Sequence, residues 1–583
     1  MKKILLYLLF IPTILSISSC EDEFDFGDDG LITYDQIFSD YLLTQDFLKT
    51  AYSYMPYYGA VSASGTFLAA YTDEAEDAND VVPGSTSLKY YTGNASSSNN
   101  FINNNLYKNM YAGIRCCNIF IANVDKVPVF TIEEHRGQWK AEAYLLRAYY
   151  YLQLIKRFGP VPIFKAEIPL DFDYSTITRP TFHENVEAIL ADCDSALAIP
   201  ELYYRQVSGI QDDYMTRGVA YAIKSQAVLF GASPLWSDGN DYWEEAAEIT
   251  KQAMDSLENA GFALYNPTNI TIKGLYSKYQ EYFLTPPENV EFPEKEKETI
   301  LGKTRMTLWA NYGLPINSDV IKAGISPSQE LVDSYETIDG QPVLNLEKPY
   351  LDASHLQPNY NEQNTLYDPN NPYANRDPRL FSTIYCNGNY HNLSNNTGQV
   401  QTYVGGNCGI SDNSNLYTRT GYYLRKFISY YSKKNNNQDG YWHDFRMAEI
   451  YLNFAEANYY ATGSVNEESL AAVNKIRSRA GMPDIPSDIS NEDFILRLRN
   501  ERRIEFAFEE HRYYDLRRWK IQDQYEGVVT GMAITKNNNT YDYNRFVVQT
   551  RNVTEPKYLM WPIPLTEQIK YESVGVDFQN PGW

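Results

Sequence analysis

Apolar residues recur at helical spacing through the first half of the chain. In residues 140–164 they fall at positions 144, 148, 151, 152, 155 and 158, which is the spacing of one helix face. The pair Gly159-Pro160 then ends the pattern, as such residues commonly end helices. Similar patterns occupy residues 104–124, 181–200, 216–236 and 242–262. Residues 35–262 are therefore predicted to form paired helices resembling tetratricopeptide (TPR) units, although their spacing is irregular.

The helical pattern stops between residues 263 and 442. This region is rich in Asn, Gly, Pro and Tyr and contains only short candidate strands. Because it is too long for one structureless loop, we expect it to fold onto the helices and to carry function. Helical patterns return at residues 445–463, 468–482 and 492–520, and a short helix is predicted after Pro564.

These patterns predict a mostly α fold with a single domain over residues 35–583. Residues 35–262 and 443–520 are expected to form the helical scaffold of that domain. Residues 263–442 are expected to form an irregular ligand-binding region, and residues 521–583 a C-terminal segment.

The first thirty residues have the pattern of a secretory signal followed by an acidic tether. Two lysines precede an apolar run over residues 4–17, which is too short to span a membrane. The sequence Ile-Ser-Ser-Cys ending at Cys20 resembles the bacterial lipobox, which implies cleavage before Cys20 and lipid attachment there. Residues 1–19 are thus predicted to be a lipoprotein signal peptide. The acidic residues 20–34 are predicted to be a flexible tether.

The charge of the chain limits its partners. A net charge of −24 argues against binding to nucleic acid, which requires a basic face. Neutral partners such as carbohydrate are compatible with it. The 51 tyrosines would suit sugars, because a tyrosine ring offers a flat apolar face and a polar hydroxyl. Most individual tyrosines are nevertheless expected to pack between helices.

The sequence predicts no metal centre and no cofactor. It contains neither a Cys-x-x-Cys nor a His-Glu-x-x-His motif, and its six histidines are scattered. Asp368, Asn370 and Asn371 lack the glycine and glutamate of a calcium-binding loop, so a turn is the preferred interpretation. Cys386 and Cys408 flank a Gly/Asn-rich loop and could form a disulfide or remain free thiols; the sequence leaves both possibilities open.

An ordered set of motifs runs along the chain. It includes EAYLLRAYYYLQLIKRFGPVPI, RGVAYAIKSQAVLFGASPLW, NPYANRDPRL, LRNERRIEFAFEEHRYYDLRRW and YLMWPIP, in that order. This set resembles the SusD/RagB family of outer-membrane lipoproteins from Bacteroidetes. The resemblance implies a SusD-like fold, in which TPR-like helix pairs support a loop-rich ligand-binding region. It also implies a non-catalytic receptor for oligosaccharides or polysaccharides, anchored by lipid in the outer membrane and facing the cell exterior. The implied partner is a SusC-like TonB-dependent transporter.

The same resemblance points to two loop stretches, residues 71–101 and 302–319, as contributors to the ligand site. Sugar recognition requires aromatic platforms and hydrogen-bonding groups on loops held by a rigid scaffold. The predicted aromatic platforms are Trp309, Tyr90, Tyr91 and Tyr312. The predicted hydroxyl-binding groups are Asn94, Arg305 and Asn311.

Two other functions stay open. RagB-like relatives handle peptides, so a peptide receptor with the same transporter partner is the main alternative. A glycoside hydrolase would need two carboxyl groups roughly 5–10 Å apart, and no local motif places them. Residues 500–505 (NERRIE) look catalytic, but their helical charge pattern favours a structural ion-pair network. Arg376, Asp377 and Arg379 are likewise predicted to clamp a loop.

Overall fold

The structure is a computed structural model. It describes residues 32–56, 66–98, 105–128, 133–169, 171–205, 214–270, 275–284, 297–306, 308–316, 320–392, 396–429 and 440–583. The predicted signal peptide, Cys20 and almost all of the tether lie outside these residues. No helix in the described part of the chain is long and apolar enough to cross a membrane.

The fold is mostly helical, as predicted. In chain order the helices are α1 Tyr34–Ser39, α2 Tyr41–Ser53, α3 Thr86–Tyr91, α4 Asn105–Asn123, α5 Glu133–Phe158, α6 Phe182–Leu197, α7 Arg217–Ala232, α8 Trp243–Asn259, α9 Lys278–Leu284, α10 Trp309–Tyr312, α11 Gln329–Ser334, α12 Pro378–Thr383, α13 Met447–Thr462, α14 Glu467–Ala480, α15 Asn491–Glu505, α16 His511–Arg518, α17 Gln522–Tyr525 and α18 Leu565–Ser573.

The long helices form a stacked array. The five helices from α4 to α8 pack in sequence order, each against its neighbour. Helix α13 packs on α8, and α14 packs on α13, which extends the array. Helix α7 is buried along almost its whole length because it lies between α6 and α8 and also contacts α5. Thr181 caps the start of α6 and forms a capping box with Glu184. Gly159, which has a φ of +71°, follows the last residue of α5.

The strands are short and pair two by two. They are β1 Ala75–Asp77, β2 Thr299–Arg305, β3 Ile325–Pro327, β4 Ile384–Tyr385, β5 Tyr390–Asn392, β6 Thr397–Gln399, β7 Tyr423–Leu424, β8 Tyr441–Arg446, β9 Val528–Asn537 and β10 Thr540–Thr550. All pairs are antiparallel: β1 with β3, β2 with β8, β4 with β7, β5 with β6, and β9 with β10. The long β9–β10 hairpin lies in the segment for which the sequence predicted only a short helix.

The predicted helix over residues 492–520 is broken into α15 and α16. Phe508 and Glu510 adopt left-handed backbone conformations with φ of +62° and +68°, which interrupt the helix. The interruption leaves the Glu505 carbonyl free to accept hydrogen bonds from Tyr279 and Arg446. Tertiary hydrogen bonds therefore replace helical ones at this point.

Buried ion pairs tie the helical array to the irregular region. The Glu505 carboxylate, fully buried, accepts hydrogen bonds from Arg446 at 2.7 Å, from Arg379 at 3.0 Å and from Arg479. Burial alone would raise the pKa of Glu505, but the surrounding guanidinium groups outweigh it and hold the pKa well below its ordinary value. Glu501 accepts from Arg379 and from Arg477.

The predicted roles of the neighbouring charged residues agree with this geometry. Arg502 reaches Asp515 of α16 at 3.1 Å, so the NERRIE sequence is a structural network. Arg376 donates to the carbonyls of Pro372, Val332 and Tyr335, and Asp377 caps α12, which makes them clamps of the loop.

Two smaller predictions concern loops. Asp368 accepts hydrogen bonds from the backbone of Asn370 and Asn371, which forms the expected turn. Cys386 and Cys408 are buried free thiols, so the possible disulfide between them is not formed.

Glu505→Gln should destabilise the protein strongly. The substitution removes the negative charge that three buried arginines share, and breaking a buried ion pair costs about 3–5 kcal/mol. The free energy of unfolding in urea measures this loss. Glu492→Gln, an exposed position on the same helix, is the control. A loss for Glu505→Gln no larger than that of the control would contradict the structural role.

Gly113→Ala tests the packing of α4 on α5. A Cβ at Gly113 would lie 2.5 Å from the ring of Tyr150, a buried residue whose hydroxyl is bonded to the Ala51 carbonyl. Overpacking of this kind costs about 1–3 kcal/mol, which in a chain of this length should lower the melting temperature by about 1–3 °C. Gly527→Ala should leave it nearly unchanged, because nothing lies within 4 Å of its added Cβ. Equal melting temperatures of the two variants would refute the close contact.

Candidate functional site

The two predicted binding stretches meet at the segment over residues 66–81, whose second half is the start of the stretch over residues 71–101. Within it, Leu68–Tyr71 and Ala78–Val81 are short 3₁₀ helices and β1 lies between them. The Phe67 ring contacts that of Tyr312 with centroids 5.2 Å apart, and the Tyr71 ring contacts that of Tyr90 at 4.6 Å. The fold therefore brings Tyr312 and Tyr90, one from each stretch, against neighbouring rings of the same short segment.

Tyr90 and Tyr91 are core residues. Both are fully buried. The Tyr90 ring lies between Tyr71 and Tyr558, and its hydroxyl accepts a hydrogen bond from Arg517 at 2.9 Å. The Tyr91 hydroxyl donates to the Ala70 carbonyl at 2.8 Å. Burial raises the pKa of both hydroxyls well above the ordinary value. Neither ring offers a face to solvent, so their predicted use as stacking platforms would require α3 to move.

Tyr312 is also buried, with 3% of its surface exposed, and it packs on Phe67. Gly324 permits this packing: a Cβ there would lie 2.2 Å from the Asn311 carbonyl oxygen and 2.3 Å from the Tyr312 ring. Tyr312 thus supports the loop from beneath. This burial argues against the predicted role of Tyr312 as a stacking platform.

The remaining predicted residues lie on or near the surface. Asn94 is exposed at the end of α3, where its amide donates to Thr92 at 3.0 Å. Asn311 is half-buried in α10, which begins at Trp309. Arg305 ends β2 and pairs with Tyr441 of β8. The side chains of Arg305 and Trp309 lie outside the described residues, so their predicted contacts with ligand stay predictions.

The structure adds three polar residues that the sequence analysis missed. The Asn415 amide donates to the Asn79 side chain at 3.0 Å, and the Arg419 guanidinium donates to Asp80 at 2.8 Å. The Ala323 amide donates to the Asn415 carbonyl at 2.8 Å, which places this loop beside Gly324 and therefore beside Asn311. No local motif marks these residues, because Asn79 comes from one segment and Asn415 and Arg419 from another that is distant in sequence.

We call Asn79, Asn311, Asn415 and Arg419 the candidate surface. Its side chains carry amide and guanidinium groups on loops held by β1–β3 pairing, which is the arrangement that hydroxyl recognition requires. The Asn311 side chain makes no hydrogen bond to the described residues, and two exposed apolar side chains, Val82 and Ile321, lie in the flanking loops. The surface can bind a neutral polar ligand by hydrogen bonds.

Two buried glutamates underlie this region. Burial raises the pKa of Glu76 to about 8, although its ion pair with Arg551 opposes the increase. Burial likewise raises the pKa of Glu74 to about 8, and the neighbouring Asp73 adds to the effect. Neither carboxyl oxygen of Glu74 has a hydrogen-bond partner in the described part of the chain. Glu74 is therefore a neutral acid at pH 7.

The described residues contain no group of three or more His, Cys, Asp or Glu side chains arranged to hold a metal ion. The polar groups of the candidate surface are amides and a guanidinium, which are suited to hydrogen bonding and not to proton transfer at pH 7.

Two family models match separate parts of the chain. The model described as the SusD family matches residues 298–583, and the model described as "Starch-binding associating with outer membrane" matches residues 58–229. The chain belongs to the SusD/RagB family. The matches include both the helical array and the irregular region, and they confirm the resemblance seen in the motifs. A search of the curated proteins finds no match to this SusD/RagB protein.

Solved structures agree with this fold. A SusD-like protein from Bacteroides fragilis is 25% identical, with a TM-score of 0.75, and the match covers 95% of this chain and 99% of that one. A SusD-like carbohydrate-binding protein from the same species is 22% identical, with a TM-score of 0.68 and coverage of 91% and 98%. Surface glycan-binding protein A from Bacteroides fluxus is 19% identical, with a TM-score of 0.57 and coverage of 94% and 100%.

Glu74→Gln should change how the stability of this SusD/RagB protein depends on pH. The folded state keeps a proton on Glu74 up to about pH 8, whereas the unfolded chain loses it near pH 4.5. Folding therefore takes up a proton at any pH between about 4.5 and about 8. As a result, the contribution of Glu74 to the free energy of unfolding falls as pH rises, by up to about 1.4 kcal/mol per pH unit. A glutamine side chain does not titrate, so the Glu74→Gln variant should not lose stability in this way as pH rises.

The measurement is the free energy of unfolding of wild type and Glu74→Gln at pH 5, 6, 7 and 8. The advantage of Glu74→Gln over wild type should grow steadily with pH. The exposed Glu467→Gln is the control and should follow wild type. A difference that is constant from pH 5 to pH 8 would show that Glu74 titrates alike in both states.

Proposed function

We propose that this protein is a non-catalytic receptor that captures oligosaccharides or polysaccharides at the cell surface. In this proposal Cys20 carries a lipid that anchors the protein in the outer membrane, facing outward. The receptor passes its ligand to a SusC-like TonB-dependent transporter. Membership in the SusD/RagB family supports each of these elements, and the outer-membrane association is in the description of one matching family model.

The observation that carries the proposal is the convergence of loop amides and a guanidinium on a rigid support. Asn79, Asn311, Asn415 and Arg419 come from three loops that meet at Gly324, beside the helix that begins at Trp309. Amides can both donate to and accept from sugar hydroxyls. Trp309 is proposed as the stacking platform next to them, with Arg305 and Asn94 as further hydroxyl contacts.

The acidic chain fits this role in one further way. A surface with an overall charge of −24 does not attract polyanions, whereas a neutral glycan binds through hydrogen bonds and stacking, which do not depend on net charge. The acidic residues that follow Cys20 keep the tether solvated, so the receptor can lie clear of the membrane surface.

Affinity electrophoresis tests the proposal. The purified protein is run through gels that contain plant, host or microbial polysaccharides, beside Trp309→Ala and the control Tyr174→Ala, an exposed aromatic residue on another loop. One class of glycan should retard wild type and Tyr174→Ala. Trp309→Ala should lose most of this retardation, since stacking on a large aromatic ring contributes roughly 1–3 kcal/mol.

The same experiment separates the alternatives. Retardation by no glycan, together with capture by immobilised peptides, would replace the glycan receptor with the RagB-like peptide receptor. Release of reducing sugar from any retarding glycan would show catalysis and contradict a purely binding function. Equal retardation of Trp309→Ala and wild type would place the platform elsewhere.

A further inference from the structure

A second cleft lies away from the candidate surface, between α15 and an excursion of the chain over residues 344–360. The excursion folds back on itself, with bridges from Leu344 to Tyr360 and from Tyr350 to Pro358. An outer cavity of about 210 Å³ and an inner cavity of about 60 Å³ adjoin there. Both are lined by Asn500, Arg503 and Tyr525, so they form one cleft.

The inner cavity is positively charged. Arg499, Arg503 and Arg512 line it, and none of its lining residues is acidic. Asp73 pairs with Arg512 at 2.9 Å and with Arg503 at 2.7 Å. Arg499 forms no ion pair with a described residue; it donates to the Tyr460 hydroxyl at 3.0 Å and lies over the Trp519 ring. The three guanidinium groups of the inner cavity are thus accompanied by one paired carboxylate, that of Asp73. The other carboxylates of the cleft line the outer cavity; they are Glu330, Asp333, Glu347 and Asp352.

Two donors in this cavity lack acceptors. The Nε atoms of Arg499 and Arg503 are buried and have no hydrogen-bond partner among the described residues. A buried N–H group without an acceptor is unfavourable, and the effect is larger when the group is charged. These Nε atoms themselves have almost no accessible surface, so a ligand would contact the terminal nitrogens of the guanidinium groups that line the cavity. A carboxylate matches the planar fork of a guanidinium.

The outer cavity is suited to an uncharged ring. Its buried carboxylates already have partners: Glu330 accepts from Thr530 and His355, and Asp333 from Tyr350 and Arg545. Tyr525 contributes a half-buried aromatic side chain at the junction with the inner cavity. A ligand with a carboxylate at one end and a hydroxylated ring at the other fits this division between the cavities.

We propose that this cleft binds an acidic sugar, with the carboxylate of a uronic acid held by Arg499 and Arg503 in the inner cavity and the sugar ring beside Tyr525 in the outer one. The site shares no residue with the candidate surface. It therefore does not depend on the glycan-receptor proposal and can fail or succeed independently of it.

Isothermal titration calorimetry with D-glucuronate tests the site, with D-glucose and acetate as comparison ligands. D-glucuronate should bind saturably and D-glucose should not, because only the former carries the anion. Acetate should bind at least about tenfold more weakly than D-glucuronate, because it lacks the ring. Binding should weaken as salt is added. Absence of D-glucuronate binding, or equal affinity for acetate, would overturn the assignment.

The Arg499→Gln variant tests whether D-glucuronate binds in the cleft. Because Arg499 has no ion-pair partner among the described residues, its removal leaves no buried carboxylate unpaired. The variant should stay folded, with a melting temperature only slightly lowered by the loss of the hydrogen bond to Tyr460 and the contact with the Trp519 ring. It should bind D-glucuronate roughly tenfold to hundredfold more weakly. Arg115→Gln, an exposed arginine on α4 with 68% of its side chain accessible, is the matched control and should bind as wild type does. Equal binding by both variants would place the ligand elsewhere and refute the proposal.

Discussion

The fold depends on the neutralisation of Glu505 and Glu501 inside the protein. Their carboxylates form ion pairs with arginines from three elements: Arg379 of α12, Arg446 of β8, and Arg477 and Arg479 of α14. A buried carboxylate is unfavourable unless it is paired and hydrogen-bonded, so these segments can only fold together. Glu298 extends the network to β2 through Arg446 and Arg479. The irregular region is thereby fixed to the helical array.

This constraint positions the candidate surface. Strand β2 is held by the Glu298 ion pairs at its start and by pairing with β8 along its length, and it leads directly into α10. From the other side, β1 and β3 pair and bring Gly324 against Asn311. The loops that carry the polar side chains of the candidate surface are therefore attached, over a short length of chain, to elements fixed by strand pairing and buried ion pairs. Such preorganisation reduces the entropy that binding must offset.

Much of the fold could be predicted from the sequence because helix periodicity is a local signal. Helices α4 and α8 begin and end within a few residues of the predicted bounds, and the capping box of α6 is formed. The break between α15 and α16 could not be predicted, since it depends on tertiary bonds to Glu505. The β9–β10 hairpin did leave a signal: Tyr541 and Tyr543 alternate with polar residues after an Asn-rich turn.

The candidate site was less predictable, for a physical reason. A tyrosine has the same local sequence signature whether its ring faces solvent or the core, because its hydroxyl can be satisfied by a distant partner such as Arg517 or the Ala70 carbonyl. Tyr90 and Tyr91 therefore looked like exposed platforms, whereas both rings are buried in this structure. Asn79 and Asn415, 336 positions apart in sequence, meet because β1 pairs with β3 and because the Ala323 amide, just before β3, bonds to the Asn415 carbonyl. Side chains on loops acquire a common function through the scaffold beneath them, so the scaffold must be known before the site can be assigned.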